Sequence, residues 1–516
     1  MRQLKSNDSA TVVHSLKVHL ALPPPTSERG YDGRVLYAAI HCLNDDILLG
    51  IFNFYRLDDT YHWDTQLGWR KLSHVCQSWR HLIYESTFHL GMRIRCTNDA
   101  AIVDTLDHLP PLPLLINYCV TITEQDELGI YHALRLHDRV RRIDLRLPPS
   151  ILHKCVVLMD GQFPNLEHLS LSFAGDKFTT LTLPEAFLAP NLRNLSLPAI
   201  SPPKRLQLLT STVSLVTLAL KNIQTSSYFR PRLLASRIWS LPQLEELSIG
   251  FSIPIPRPST ERELLGEQGT PVTLPNLKSL EFQGVGAYVE SFVAQIRTPL
   301  LERLDIKLFN QIAFALPHLS HLINITGRFK LPAARVYFLQ DAVSIITAHH
   351  GSRWSEGPFR LQVKCDQLDW QIDCAAQICS ALIPVLSDVE RFALGFYDKR
   401  LQTKWRNGGI DSTTWNELLR LFIGVNELHI DNGLSEELSR ALEVDEVGSE
   451  PGFLPNLQHI IAPANLFHSF INTRQVVGRP VLFSVPLSPT LLRSSSPSSN
   501  KAFISVSRTQ VVPTFA

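Results

Sequence analysis

The chain has 516 residues, 44% of them hydrophobic, and its 49 Lys and Arg against 48 Asp and Glu leave a formal net charge of +1. That length accommodates two or three domains or one extended solenoid, and the even charge balance excludes a global field steering the chain to nucleic acid or an anionic membrane. No stretch reaches the roughly eighteen uninterrupted apolar residues of a bilayer-spanning helix, and Lys5, His14, Lys17 and His19 break any secretory-type run, so an intracellular protein, cytoplasmic or nuclear, is expected.

Residues 1–35 are polar and punctuated by Pro23, Pro24 and Pro25, and read as a loosely ordered leader. Residues 36–96 read as a helical domain. Leu43, Ile47, Leu48, Ile51 and Phe52 recur at three- and four-residue steps, with Asn44 and Asp45 as candidate helix caps. After an insertion, Leu72, Val75, Cys76, Trp79 and Leu82 repeat that spacing, with Arg70, Lys71, Gln77 and Arg80 on the other side. A unit of roughly fifty residues buries little surface. Its leftover apolar patch requires a neighbour.

The order Leu43, two acidic positions, Ile47-Leu48-Leu49, Ile51-Phe52, then Leu72-Ser73-His74-Val75-Cys76-Gln77-Ser78-Trp79-Arg80 resembles the F-box. That module binds the adaptor of Skp–cullin–F-box ubiquitin ligases. The chain departs from the pattern at Asn44, where the family usually carries Pro, and in the long link Leu57 to Gly68. The resemblance implies that Leu43, Ile47, Leu48, Ile51, Phe52, Leu72, Val75, Cys76, Trp79 and Leu82 contact a Skp-family adaptor, and through it a cullin scaffold.

In AAIVDTLDHL the spacing predicts a short helix, closed by Pro110, Pro111 and Pro113. Residues 97–480 then carry an internal repeat. FPNLEHLSL ends at Leu171, APNLRNLSL at Leu197, TVSLVTLAL at Leu220, LPQLEELSI at Ile249, LPNLKSLEF at Phe282 and TPLLERLDI at Ile306. DRVRRIDL precedes them, and SDVERFAL, GVNELHI and LPNLQHI follow as weaker copies, with no clear repeat from Pro332 to Gln367. Each copy follows L-x-x-L-x-L, a short strand whose last two Leu positions face one side. Successive copies lie about 23 to 33 residues apart, enough for a return helix or crossover, so stacked copies would form a parallel sheet.

This pattern resembles degenerate leucine-rich repeats. The family's usual Asn, three residues past the last Leu, is absent; Ala174 and Ile200 stand in those places. The expected fold is therefore α/β, an N-terminal helical F-box followed by an irregular leucine-rich-repeat solenoid with a parallel sheet, as in fungal F-box proteins. The residues alternating with the Leu positions would line the exposed face. Arg142, His168, Asn194, Glu246, Glu281 and Arg303 are the candidate target contacts, and their mixed charge suits a protein partner better than nucleic acid.

No catalytic constellation is legible. The chain lacks G-x-S-x-G, a phosphate loop and H-E-x-x-H. Gly284-Val285-Gly286 fails the dinucleotide fingerprint, and His349-His350, ending SIITAHHG, reads as a helix terminus. Eight cysteines lie far apart with no CxxC pair, which suggests reduced thiols; Cys76, Cys374 and Cys379 read as buried structural groups. No cofactor or metal is expected. Residues 481–516, with the Ser/Pro-rich Ser488 to Asn500, read as a disordered tail. The resulting expectation is a non-catalytic receptor subunit that holds an adaptor at one end and a protein substrate at the other.

Overall fold

The computed structural model describes residues 43–58, 72–87, 90–91, 93–98, 103, 106, 111–175, 181–202, 207–253, 270–309, 314–329, 331–349, 357–365, 368–397, 412–444, 454–462, 466–476 and 478–485. The chain divides into two units, Met1–Met92 and Arg93–Ala516. The leader, the link Leu57 to Gly68 beyond residue 58, Arg70 and Lys71, and residues 486–516 lie outside the described residues.

In the first unit, α1 (Asp45–Asp58) begins where Asn44 Oδ1 accepts the Ile47 backbone N–H at 2.9 Å, and Asp45 and Asp46 occupy its first turn. An acceptor cap and acidic residues both suit the positive end of the helix dipole. The stripe Leu72 to Leu82 is not one helix. A turn at His74 and Val75 interrupts it, and α2 (Gln77–Glu85) starts afresh with Cys76 as its cap, the thiol sulfur accepting Trp79 N–H at 3.4 Å. Cys76 is thus half-buried and does a capping job instead of filling a core.

The second unit is α/β, built on a sixteen-stranded, almost wholly parallel sheet. Its strands in chain order are β1 (Ile94–Cys96), β2 (Leu114–Cys119), β3 (Val140–Leu147), β4 (His168–Phe173), β5 (Asn194–Pro198), β6 (Thr217–Ile223), β7 (Glu246–Phe251), β8 (Ser279–Gly284), β9 (Arg303–Leu308), β10 (Ala333–Phe338), β11 (Ala342–Ala348), β12 (Phe359–Lys364), β13 (Arg391–Phe396), β14 (Glu427–Ile430), β15 (His459–Ile461) and β16 (Leu482–Ser484). Ten of these are the ten sequence copies. The helices between them are α3 (Glu124–Arg135), α4 (Pro149–Leu158), α5 (Gln207–Ser211), α6 (Pro231–Ile238), α7 (Gly286–Val293), α8 (Pro317–Thr326), α9 (Leu368–Ala381), α10 (Ile383–Leu386), α11 (Ser412–Leu419), α12 (Ser435–Val444) and α13 (His468–Val476).

Spatial order follows chain order except at one place. Between β9 and β13 the sheet runs β12, β11, β10, and β11 is antiparallel to both neighbours. This stretch is the one without a sequence repeat. Leu339 N–H bonds Ala342 carbonyl at 2.8 Å to close the turn before β11, and AVSIITA, rich in β-branched residues, is buried along its whole length. The expectation of a helix ending at His349 is therefore wrong: SIITA is a central strand, because β-branching and burial on both faces favour extended backbone over helix.

Parallel register places the repeated apolar positions in continuous rows. Ile143, Leu169, Leu195, Leu218, Leu247, Leu280 and Leu304 stand side by side, all buried. Neighbouring helices also touch in sequence, α3 on α4, α6 on α7 and α7 on α8. In the P-N-L copies, Asn165, Asn191, Asn276 and Asn456 each donate a side-chain N–H to a backbone carbonyl of the preceding copy's turn: Asp138, Pro164, Pro242 and Ile423, at 2.5 to 3.0 Å. An Asn ladder is thus present, but just before the strand instead of after it.

Three boundaries differ from the sequence expectation. The second unit begins at Arg93, not residue 97, because Ile94 to Cys96 pairs with β2. The sheet continues through Ser484, past residue 480, where β16 joins β15. Of the expected helix in AAIVDTLDHL, only Val103 and Leu106 are described as helical.

Candidate interaction surfaces

Helix α1 carries apolar residues on two stripes. Leu48 and Phe52 form one, and both are buried; the Phe52 ring meets Trp79 edge-on at 4.8 Å between centroids, with Ile83 buried beside them in the same unit. Ile47, Ile51 and Phe54 form the other, spaced by four and three residues, and they are 50%, 41% and 43% exposed; Val75, on the turn before α2, is 58% exposed. Leu43, Leu72, Cys76, Trp79 and Leu82 are half-buried. The ten residues expected at the adaptor therefore separate: Leu48 and Phe52 support from inside, while Ile47, Ile51 and Val75 face outward. Phe54 was missed, although its place three residues beyond Ile51 on the same stripe was visible.

In the second unit, the face of the sheet opposite the Leu rows is open. Across it run Arg142, His168, Asn194, Thr217, Glu246, Ser279 and Arg303 in register, with Asp144, Ser170, Ser196, Ala219, Ser248, Glu281 and Asp305 in the next row. The six expected target contacts all lie on this face. Arg142, Glu246 and Arg303 are exposed; His168, Asn194 and Glu281 are half-buried. Burial, with the Arg142 charge added, lowers the His168 pKa below the usual imidazole value.

Glu281 is the most strongly held of them. Its carboxylate accepts Lys221 Nζ at 2.6 Å, Ser248 Oγ at 3.0 Å and Lys307 Nζ at 3.2 Å. Burial alone would raise its pKa, but the Lys221 ammonium, the Ser248 hydroxyl and Lys307 outweigh that and bring it down to about 2. A carboxylate depressed on folding contributes stability above its unfolded value of 4.5 and loses it as pH falls toward 2. Denaturant unfolding from pH 5 to pH 3 should cost the native chain about 1 kcal/mol more than Glu281→Gln, after allowance for solvent screening. Parallel pH profiles would contradict this. Lys221 and Lys307 escaped the sequence reading because they sit beyond the L-x-x-L-x-L motif; continuing the alternation two residues further would have found them.

A second polar cluster spans β10, which lies outside the repeats, and β13 and β14, which are two of the weaker copies. Arg335 pairs with Asp431 at 3.2 Å and lies over the Tyr337 ring at 4.1 Å. Arg391 pairs with Glu427 at 2.9 Å, and His429 bonds the same carboxylate. Gly395 makes room for this: a Cβ there would stand 2.0 Å from Asp431 Oδ2 and 2.8 Å from Arg335 Nη2. Tyr397 stands exposed beside Tyr337.

Among the described residues, no group of three or more His, Cys, Asp or Glu side chains could hold a metal ion, and no helix is long and apolar enough to cross a membrane. The described cysteines form no disulfide; burial pushes the Cys96, Cys155 and Cys374 thiols up to about 12 and Cys379 higher still, which keeps them from acting as thiolates at neutral pH. No family model matches this chain, and no curated protein does either.

Proposed function

We propose that the chain is the substrate-recognition subunit of a Skp–cullin–F-box ubiquitin ligase, the first unit being an F-box and the second an irregular leucine-rich-repeat solenoid. The observation that carries this reading is the doubled stripe of α1. The two described helices of the first unit and the turn between them bury Leu48, Phe52 and Ile83 yet leave Ile47, Ile51, Phe54 and Val75 exposed. A large apolar stripe on so small a unit is suited to a partner's groove, where central apolar anchors carry most of the binding energy. The Val75-Cys76 turn followed by Trp79-Arg80 supports it too, since that motif both breaks the helix and props Trp79 against Phe52.

The solenoid reading is supported by the row of in-register Leu strands and by the Asn165, Asn191, Asn276 and Asn456 bonds that tie each turn to the one before. In this role the chain performs no covalent step. It raises the local concentration of a target protein at a ubiquitin-charged enzyme held by other subunits, and the rate gain comes from proximity and orientation.

The target would lie on the open face of the sheet. Charge reversal at Glu281 would set three cations together and disturb the fold, so the exposed residues Glu246 and Arg303 make the cleaner probe. Tagged full-length chain is captured with and without proteasome inhibitor, and bound proteins are identified by mass spectrometry. Proteins enriched by the inhibitor should be lost from Glu246→Lys/Arg303→Glu while a Skp-family adaptor stays bound. An unchanged target set would place recognition elsewhere.

A further inference from the structure

Away from the open face, the second unit contains a cleft of about 630 Å³ between the end of α7, the two-stranded parallel pair Val272–Thr273 with Ile296–Arg297, and α8. Its size is that of a small-molecule pocket. The walls are apolar: Val293 and Ile296 on one side, Leu322 and Ile325 on the other, closed by Pro271 and Pro299. Ile325, which lines the cleft, is 70% exposed.

The polar side chains described in the cleft are Arg297, His318, His321 and the hydroxyls of Thr273, Thr298 and Thr326. Arg297 is exposed at its wall and forms no ion pair with a described residue; His318 and His321 add ring nitrogens. Thr298 is only 3% exposed, and its hydroxyl has no hydrogen-bond partner among the described residues. A buried hydroxyl left unmatched costs free energy that a ligand can recover. No carboxylate is among the described residues that line the cleft. Glu290, on α7, is already bound to the backbone N–H groups of His318 and Leu319, at 2.8 and 2.9 Å. Those bonds hold the start of α8 at the rim, and Gly327, at φ 62°, closes its other end. The strand pair fixes Arg297 in turn, since Leu274 N–H bonds its carbonyl at 2.9 Å.

We propose that this cleft binds a medium-chain carboxylic acid, with the carboxylate on Arg297 and Thr298 and the hydrocarbon chain between α7 and α8. One guanidinium with no ion pair among the described residues matches a single negative charge, where a phosphate dianion or a nucleotide would call for a cluster of cations. The long apolar walls match an alkyl chain and would leave the hydroxyls of a sugar unpaired.

The test is calorimetric titration of the purified full-length chain with octanoate, decanoate and, as the uncharged control, decanol. Decanoate should bind saturably and at least tenfold more tightly than decanol, and each methylene from octanoate to decanoate should tighten binding about fourfold. Arg297→Gln should remove most of the decanoate advantage and leave decanol unchanged. Ile325→Asp, a change at an exposed position, should weaken both. Thr298→Val should weaken decanoate about threefold without lowering the melting temperature, which separates a ligand contact from a structural role. No saturable binding at millimolar decanoate, decanol binding as tightly as decanoate, or an unaffected Arg297→Gln would each overturn the proposal.

Discussion

Glu290→Ala is expected to destabilise the second unit by about 3 kcal/mol. Glu290 is only 2% exposed, and its carboxylate receives both backbone N–H groups at the start of α8. Burial raises its pKa, and the two N–H bonds pull it back. Alanine leaves those donors without a partner inside the protein and empties the space the side chain fills, so two costs add. Glu290→Gln keeps an acceptor oxygen and should lose less than half as much. Denaturant unfolding of the three proteins decides it: equal midpoints for Glu290→Ala and the native chain would show that α8 is held by packing alone.

In the first unit, two substitutions one residue apart should behave oppositely. Phe52→Ala removes the ring that packs on Trp79 and should cost about 3 to 5 kcal/mol, enough to unfold a unit with so small a core. Ile51→Glu changes a residue that is 41% exposed and should leave helicity and melting temperature nearly unchanged. If the exposed stripe is the adaptor surface, both variants lose the adaptor, the first by unfolding and the second with the fold intact. Limited proteolysis alongside the binding assay separates the two causes.

Why the sequence made some of this visible follows from periodicity. Strands that bury one face repeat Leu every second residue, so β3 to β9 and β13 to β15 could be read directly. A stripe on a helix is equally legible, and Asn44 announced its cap. Strand β11 was hidden because both its faces are buried, so SIITA shows no alternation at all. The turn at Val75 was hidden because its residues happen to continue the helical spacing across the break. Which of two adjacent stripes packs inward, Leu48 and Phe52 or Ile47 and Ile51, depends on where α2 lies, and no local pattern holds that information. The Glu281 network shows the same limit: Lys221 and Lys307 reach it from β6 and β9, so the pairing appears only once the strands are in register.

Co-expression of the full-length chain with a Skp-family adaptor, followed by size-exclusion chromatography, tests the central claim most directly. The native chain should elute with the adaptor as one complex. Ile51→Glu/Val75→Glu should elute alone with an unchanged melting temperature, because both residues are exposed and neither supports the core. A native chain that never co-elutes with the adaptor, or a double variant that still does, would contradict the account.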